Sequence, residues 1–151
     1  MTGITDRNGR TREFTYDDLD RVTQEQWLVG STAVRTMAYT YDAVDNLLTA
    51  TDPDASYAFT YDDRDRLLSV DNMGTPLLPH VVLNYGYDDV DNLTSITDNA
   101  GVQVLSTYNA NGWLTSRAWS GPGIDPVHAD FTYNARGGID TIKRYSDTVG
   151  G

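Results

Sequence analysis

The sequence contains no cysteine. A disulfide framework and a thiolate metal centre are therefore excluded, and the redox compartment stays open, because a cysteine-free chain suits either side of a membrane. Lysine is nearly absent: Lys143 stands beside ten arginines. Glutamate is almost as rare, with Glu13 and Glu25 against twenty aspartates. Without Glu and Lys the chain lacks its best exposed helix formers, while Asp favours turns and caps. The formal net charge is −11. It argues against nucleic acid, whose phosphates demand basic patches, and against anionic membrane surfaces. No apolar run approaches the roughly 20 residues of a membrane helix. The opening MTGITDRNGR has no apolar stretch of the signal-peptide kind, so if the protein is exported the signal is expected outside this sequence.

What is present is a repeat. Six copies align on a tyrosine followed by Asp or Asn, at 14–23, 39–48, 59–68, 85–94, 106–115 and 131–140. Their reference residues are Tyr16, Tyr41, Tyr61, Tyr87, Tyr108 and Tyr133, with gaps of 25, 20, 26, 21 and 25 residues. Copies this regular predict units that bury their faces only against neighbours, in one stretch covering 1–151. In five copies an aromatic two residues before the Tyr gives period-two alternation, the mark of a strand. After the Asp or Asn come two variable residues, then Asp or Gly. This predicts a type I turn followed by a bulge residue at positive φ. Gly112 and Gly137 fill that position in two copies, and Asp20, Asp45, Asp65 and Asp91 in the others.

A second turn family lies between the copies. Its members are Asp6-Arg7-Asn8-Gly9, Asp52-Pro53-Asp54-Ala55, Asp71-Asn72-Met73-Gly74, Asp98-Asn99-Ala100-Gly101 and Ser120-Gly121-Pro122-Gly123. Turns at both strand ends predict an all-β, antiparallel meander. Strands are expected near 10–16, 21–27, 33–41, 47–51, 56–61, 66–70, 80–87, 92–97, 102–108, 113–119, 127–133 and 138–145.

The motif, written YDAVDNL at Tyr41 and YNANGWL at Tyr108, resembles the RHS or YD-repeat family over about residues 5–145. The resemblance implies a strip of β-hairpins coiling as a spiral sheet. The family's spirals build hollow shells in bacterial toxin complexes and teneurin-type cell-surface proteins. Two departures stand out. Four of six turns carry Asp where the family prefers Gly, and no Asp-Pro-x-Gly-Leu-like self-cleavage signal is present.

Candidate chemistry is sparse. His80 and His128 lie in proline-containing connections, and neither has metal-site or nucleophile-elbow spacing around it. No catalytic residue is assigned and no enzyme is expected. The Asp-rich turns carry two readings. Asp17 with Asp20, Asp62 with Asp65 and Asp88 with Asp91 could supply oxygens to Ca²⁺. Alternatively the first Asp caps its own turn, a role Asn109 and Asn134 fill equally well. The repeat tyrosines either pack on the next hairpin or form a sugar-stacking stripe. Asn92-Leu93-Thr94 fits the glycosylation pattern, but Asn46 and Arg66 occupy the same repeat position. The expected function is a non-catalytic wall segment of an extracellular or cell-surface shell, tube or filament, joined end to end to further repeats or copies of itself. The alternatives are part of a toxin-encapsulating cage and an adhesin or carbohydrate-binding module.

Overall fold

The computed structural model describes residues 2–7 and 9–146. Asn8 of the first turn, the residue Met1, and the terminal Gly150-Gly151 lie outside the described residues. The chain divides into two compact units, residues 1–80 and 81–151. Among the described residues there is no helix.

In the first unit seven strands follow one another in chain order: β1 Thr2–Thr5, β2 Arg10–Tyr16, β3 Val22–Val29, β4 Thr32–Tyr41, β5 Leu47–Thr51, β6 Ser56–Tyr61 and β7 Leu67–Asp71. Each pairs antiparallel with the next. The second unit repeats the scheme with β8 Val82–Tyr87, β9 Leu93–Asp98, β10 Gln103–Tyr108, β11 Leu114–Gly121, β12 Ile124–Tyr133 and β13 Ile139–Tyr145. Within each unit, connections of two to five residues leave no room for the crossover that a parallel pair requires.

Twelve of these strands fall close to the expected ranges. The thirteenth, β1, lies outside them. It is four residues long and contains Gly3, so it shows no alternation, yet it pairs with Thr11–Phe14 through the Asp6–Gly9 turn. Residues 10–16 are therefore not an edge. That place belongs to β1, which is exposed throughout. Two connections also differ from expectation. Gly30 at φ 62° opens a two-residue Gly30-Ser31 hairpin loop, as primed turns require. After β7 the turn closes one residue later than Asp71–Gly74, with the Thr75 N–H donating to the Asn72 carbonyl at 2.9 Å.

Residues directly opposed across antiparallel strands share a face. One face of the first unit carries Phe14, Glu25 and Met37 in one row, and Tyr39, Ala50 and Tyr57 in another, with Phe59 opposite Val70. The other face carries hydroxyl pairs, Thr40 with Thr49 and Thr60 with Ser69, each 2.6 Å apart. The second unit repeats this: Val104, Trp119 and Val127 on one face, and on the other a Thr132–Thr141 hydroxyl pair at 2.7 Å.

The apolar faces are not closed over. Among the described residues only Ala129, Thr75 and Ser106 are buried, and no large side chain is fully enclosed. Ile4, Val29 and Val34 remain 60% or more exposed. They line a hollow of about 690 Å³ with Trp27. A globular domain of ordinary construction packs a core between two layers; each unit here is a single layer with half-buried side chains.

Candidate functional site

Each unit carries three YD turns at one end of its strands. The first residue of every turn organises it. Asp17 Oδ1 accepts the Leu19 and Arg21 N–H groups, both at 3.0 Å. Asp42, Asp62 and Asp88 bond the residues two and four further on in the same way. Asn109 and Asn134 do so with their side-chain carbonyls. The second carboxylate oxygen then binds the side chain four residues on: Arg21 at 2.8 Å, Asn46 at 3.0 Å, Arg66 at 2.7 Å and Asn92 at 2.8 Å. Asn92, the glycosylation candidate, thus has its amide engaged within its own turn.

The fourth turn residue lies at positive φ in all six copies, from 60° at Asp65 to 79° at Gly137. Just before it the register slips at each repeat tyrosine, between Thr15/Tyr16, Thr40/Tyr41, Thr60/Tyr61, Gly86/Tyr87, Thr107/Tyr108 and Thr132/Tyr133. This is the bulge that a left-handed residue introduces into a hairpin. At the opposite strand end, Asp98–Gly101 repeats the same geometry: Asp98 Oδ1 accepts the Ala100 and Val102 N–H groups, and Gly101 sits at φ 91°.

Charge reinforces the turns. Arg66 holds the Asp62 carboxyl down at about 2, helped by the Arg66 and Arg64 backbone N–H groups against partial desolvation. Partial desolvation pushes Asp17 and Asp42 upward, but the bonds from Arg21 and Asn46 outweigh it and leave both below the ordinary carboxylate value. At the other strand end the Arg35 guanidinium lowers Asp52, while the Met73 N–H and then His80 lower Asp71.

Copies are tied to one another by their tyrosines. The Tyr41 hydroxyl donates to the Val22 carbonyl at 2.9 Å and Tyr61 to Leu47 at 3.0 Å. Tyr108 donates to Leu93 and Tyr133 to Leu114, both at 2.9 Å. In each case the acceptor stands six residues after the tyrosine of the preceding copy. Tyr16, in the first copy, accepts from the Thr2 hydroxyl at 3.1 Å. Tyr87 ends β8 at the same bulge as the others.

A second link joins adjacent turns. Arg21 reaches Asp45 Oδ1 at 2.9 Å and the Asp42 carbonyl at 2.6 Å, and its guanidinium lies 4.9 Å from the Tyr41 ring centre. Asn46 donates to Asp65 Oδ1 at 2.9 Å. In the second unit Trp113 packs against Tyr133, ring centres 5.1 Å apart. Sequence reading missed these links, because they join residues 19 to 24 apart whose proximity only the hairpin register fixes.

The candidate calcium residues are not brought into a shared cage. Asp17, Asp62 and Asp88 turn their oxygens onto their own turns, Asp65 accepts from Asn46, and Asp20 is exposed. Among the described residues no group of three or more His, Asp or Glu could hold a metal ion. His80 bonds Asp71 at 2.8 Å, and His128 stacks on Tyr145 with ring centres 4.3 Å apart.

Comparison with known proteins gives this geometry a family. The structure is similar to that of TcdB2-TccC3-TEV, with a TM-score of 0.79 and 20% identity over 97% of this chain and 8% of that one. It is similar to TcdB2-TccC3-Cdc42, with a TM-score of 0.77 and 19% identity over 95% of this chain and 8% of that one. Both likenesses establish the fold, and the chain spans about a twelfth of either structure's length. No curated protein matches it. The family described as Teneurin YD-shell matches residues 2–148. The chain, with its six tyrosine-centred turns, belongs to the Teneurin YD-shell family.

Proposed function

We propose that this chain is a non-catalytic stretch of β-wall within a larger extracellular or cell-surface shell, tube or filament. The observation that carries the reading is the tyrosine hydroxyl that ties one copy to the backbone of the copy before it. Such a linkage gives each copy a structural need for neighbours on both sides. The thin single layer supports the same conclusion, since so few residues are buried that neighbouring structure must complete the burial. The carboxylates that head the YD turns, Asp17, Asp42, Asp62 and Asp88, are spent on holding their own turns, a structural use that supports the wall. Strands β1 and β13 are exposed along their length and offer unpaired ladders to further repeats. The acidic surface keeps such an assembly soluble.

A toxin-encapsulating cage is the second reading, favoured by the likeness to the TcdB2-TccC3 structures over nearly the whole chain. Electron microscopy of the protein from its natural source tests both. A wall enclosing a lumen, with residues 2–148 in it, is the expected image. A filled lumen selects the cage. A compact globule with the apolar face packed on another domain contradicts the wall.

A further inference from the structure

Within each unit the links between adjacent turns follow one rule. The residue five after the repeat tyrosine faces the residue four after the tyrosine of the next copy. Arg21 meets Asp45, and Asn46 meets Asp65, each at 2.9 Å. Where the second residue is glycine, no donor is needed. The Asn92 Oδ1 lies 3.5 Å from where a Gly112 Cβ would stand, and the Trp113 ring lies 2.9 Å from that of Gly137. In these pairs Arg or Asn opposes a carboxylate, and Asn or Trp opposes glycine.

The rule accounts for Asp45 and Asp65 at positive φ. Asp holds that conformation less readily than glycine, and a hydrogen bond from the neighbouring turn offsets the difference. Asp20 differs. It sits at φ 61° and is exposed, and its carboxylate has no hydrogen-bond or ion-pair partner among the described residues. No earlier copy precedes it in this sequence.

We propose that the residues four and five after each tyrosine form a neighbour-matching code, and that Asp20 is an open acceptor for a further YD turn carrying arginine or asparagine at the fifth position. This rests on the wall continuing past β1. The spacing fits such a neighbour. Tyr108 bonds the carbonyl of Leu93, fifteen residues before it, and residue 1 stands fifteen before Tyr16. A donor placed immediately ahead of residue 1 would occupy, relative to Asp20, the place Asn92 holds relative to Gly112. The partner is thus a YD hairpin with a cationic or amide side chain at that point. A hairpin ending in Trp or Gly, as in this chain's last two copies, leaves the acceptor unfilled.

The experiment extends the full chain at its N-terminus with a copy of its own segment Phe59–Arg66, ending in either the native Arg or Ala. The Arg-ended extension is expected to raise the folding equilibrium constant about twofold to fivefold over the Ala-ended one, the scale of an exposed pair. Asp20→Ala should shrink that difference to the part the Arg contributes through the carboxylate of its own turn, as Arg66 does with Asp62. Equal stability of the two extensions, or a difference that Asp20→Ala leaves unchanged, overturns the proposal. Within the unextended chain, Asn46→Ala and Asp65→Ala should show non-additive effects in a double-mutant cycle; strict additivity also overturns it. The wall reading is judged separately, by whether either extension protects the Thr2–Thr5 amides from hydrogen exchange. Protection without Asp20 dependence would keep the wall and discard the code.

Discussion

Trp113 lies across the face of Gly137: a Cβ at residue 137 would stand 2.9 Å from Cζ2 of the indole and 3.4 Å from Cη2. The glycine is needed twice, for its φ of 79° and for the space the ring takes. Gly123 in the same unit has a similar φ of 72° and nothing within 4 Å of its Cβ position.

Gly137→Ala is therefore expected to destabilise more than Gly123→Ala. The second pays only the left-handed backbone term, about 1–2 kcal/mol. The first adds overpacking of about 1–3 kcal/mol. Denaturant midpoints of the two variants measure the difference, and equal losses would mean the indole moves aside freely.

The aspartates at positive φ separate into two kinds. Asp20→Gly relieves backbone strain and removes no bond seen in the structure, so its midpoint should rise. Asp45→Gly relieves the same strain but loses the Arg21 bond. Because the Asp45 side chain is 69% exposed, that loss is small, and the midpoint should stay near that of the parent. Asp45→Gly rising as far as Asp20→Gly would show that the Arg21 link carries no weight.

Tyr61→Phe removes the bond to the Leu47 carbonyl and should cost about 1 kcal/mol. Tyr61→Ala should cost more, though less than the ~3–5 kcal/mol of a fully buried aromatic, since Tyr61 is half-buried. Chemical denaturation checks both. An unchanged midpoint for Tyr61→Ala, with binding lost on a glycan array, would favour the sugar-stacking reading.

Acid should loosen the turns in a defined window. Asp62 ionises at about 2 in the folded chain against an ordinary 3.8, and Asp17, Asp42, Asp52 and Asp71 are also lowered. A lowered carboxyl contributes stability that is complete above the unfolded value and lost as pH falls through the folded one. The denaturant midpoint should hold above about pH 4 and drop between about 4 and 2. Asp62→Asn keeps the two backbone bonds, as Asn109 does, and should flatten that drop.

The sequence made the strands and their turns legible because two signals coincide at each copy. Aromatic alternation marks Phe59 and Tyr61 as strand neighbours on one face, and Asp62 stops the strand at the very next residue. Such information is local, carried within about ten residues. Strand β1 escaped because Thr2–Thr5 is too short to alternate and Gly3 interrupts it. The Arg21–Asp45 and Asn46–Asp65 links escaped for a different reason. They depend on how hairpins of unequal length align side by side, which spacing along the chain does not specify. At Asp45 and Asp65, aspartate in place of the glycine seen at Gly112 and Gly137 has a donor from the neighbouring turn.

The central claim is that this chain is one stretch of a wall whose open strands take further strands. Sedimentation over a rising concentration series, combined with hydrogen exchange at β1 and β13, tests it most directly. The account predicts concentration-dependent association, with the amides of Thr2–Thr5 or Ile139–Tyr145 gaining protection as the assemblies grow. A monomer at every concentration with both strands already protected would contradict it.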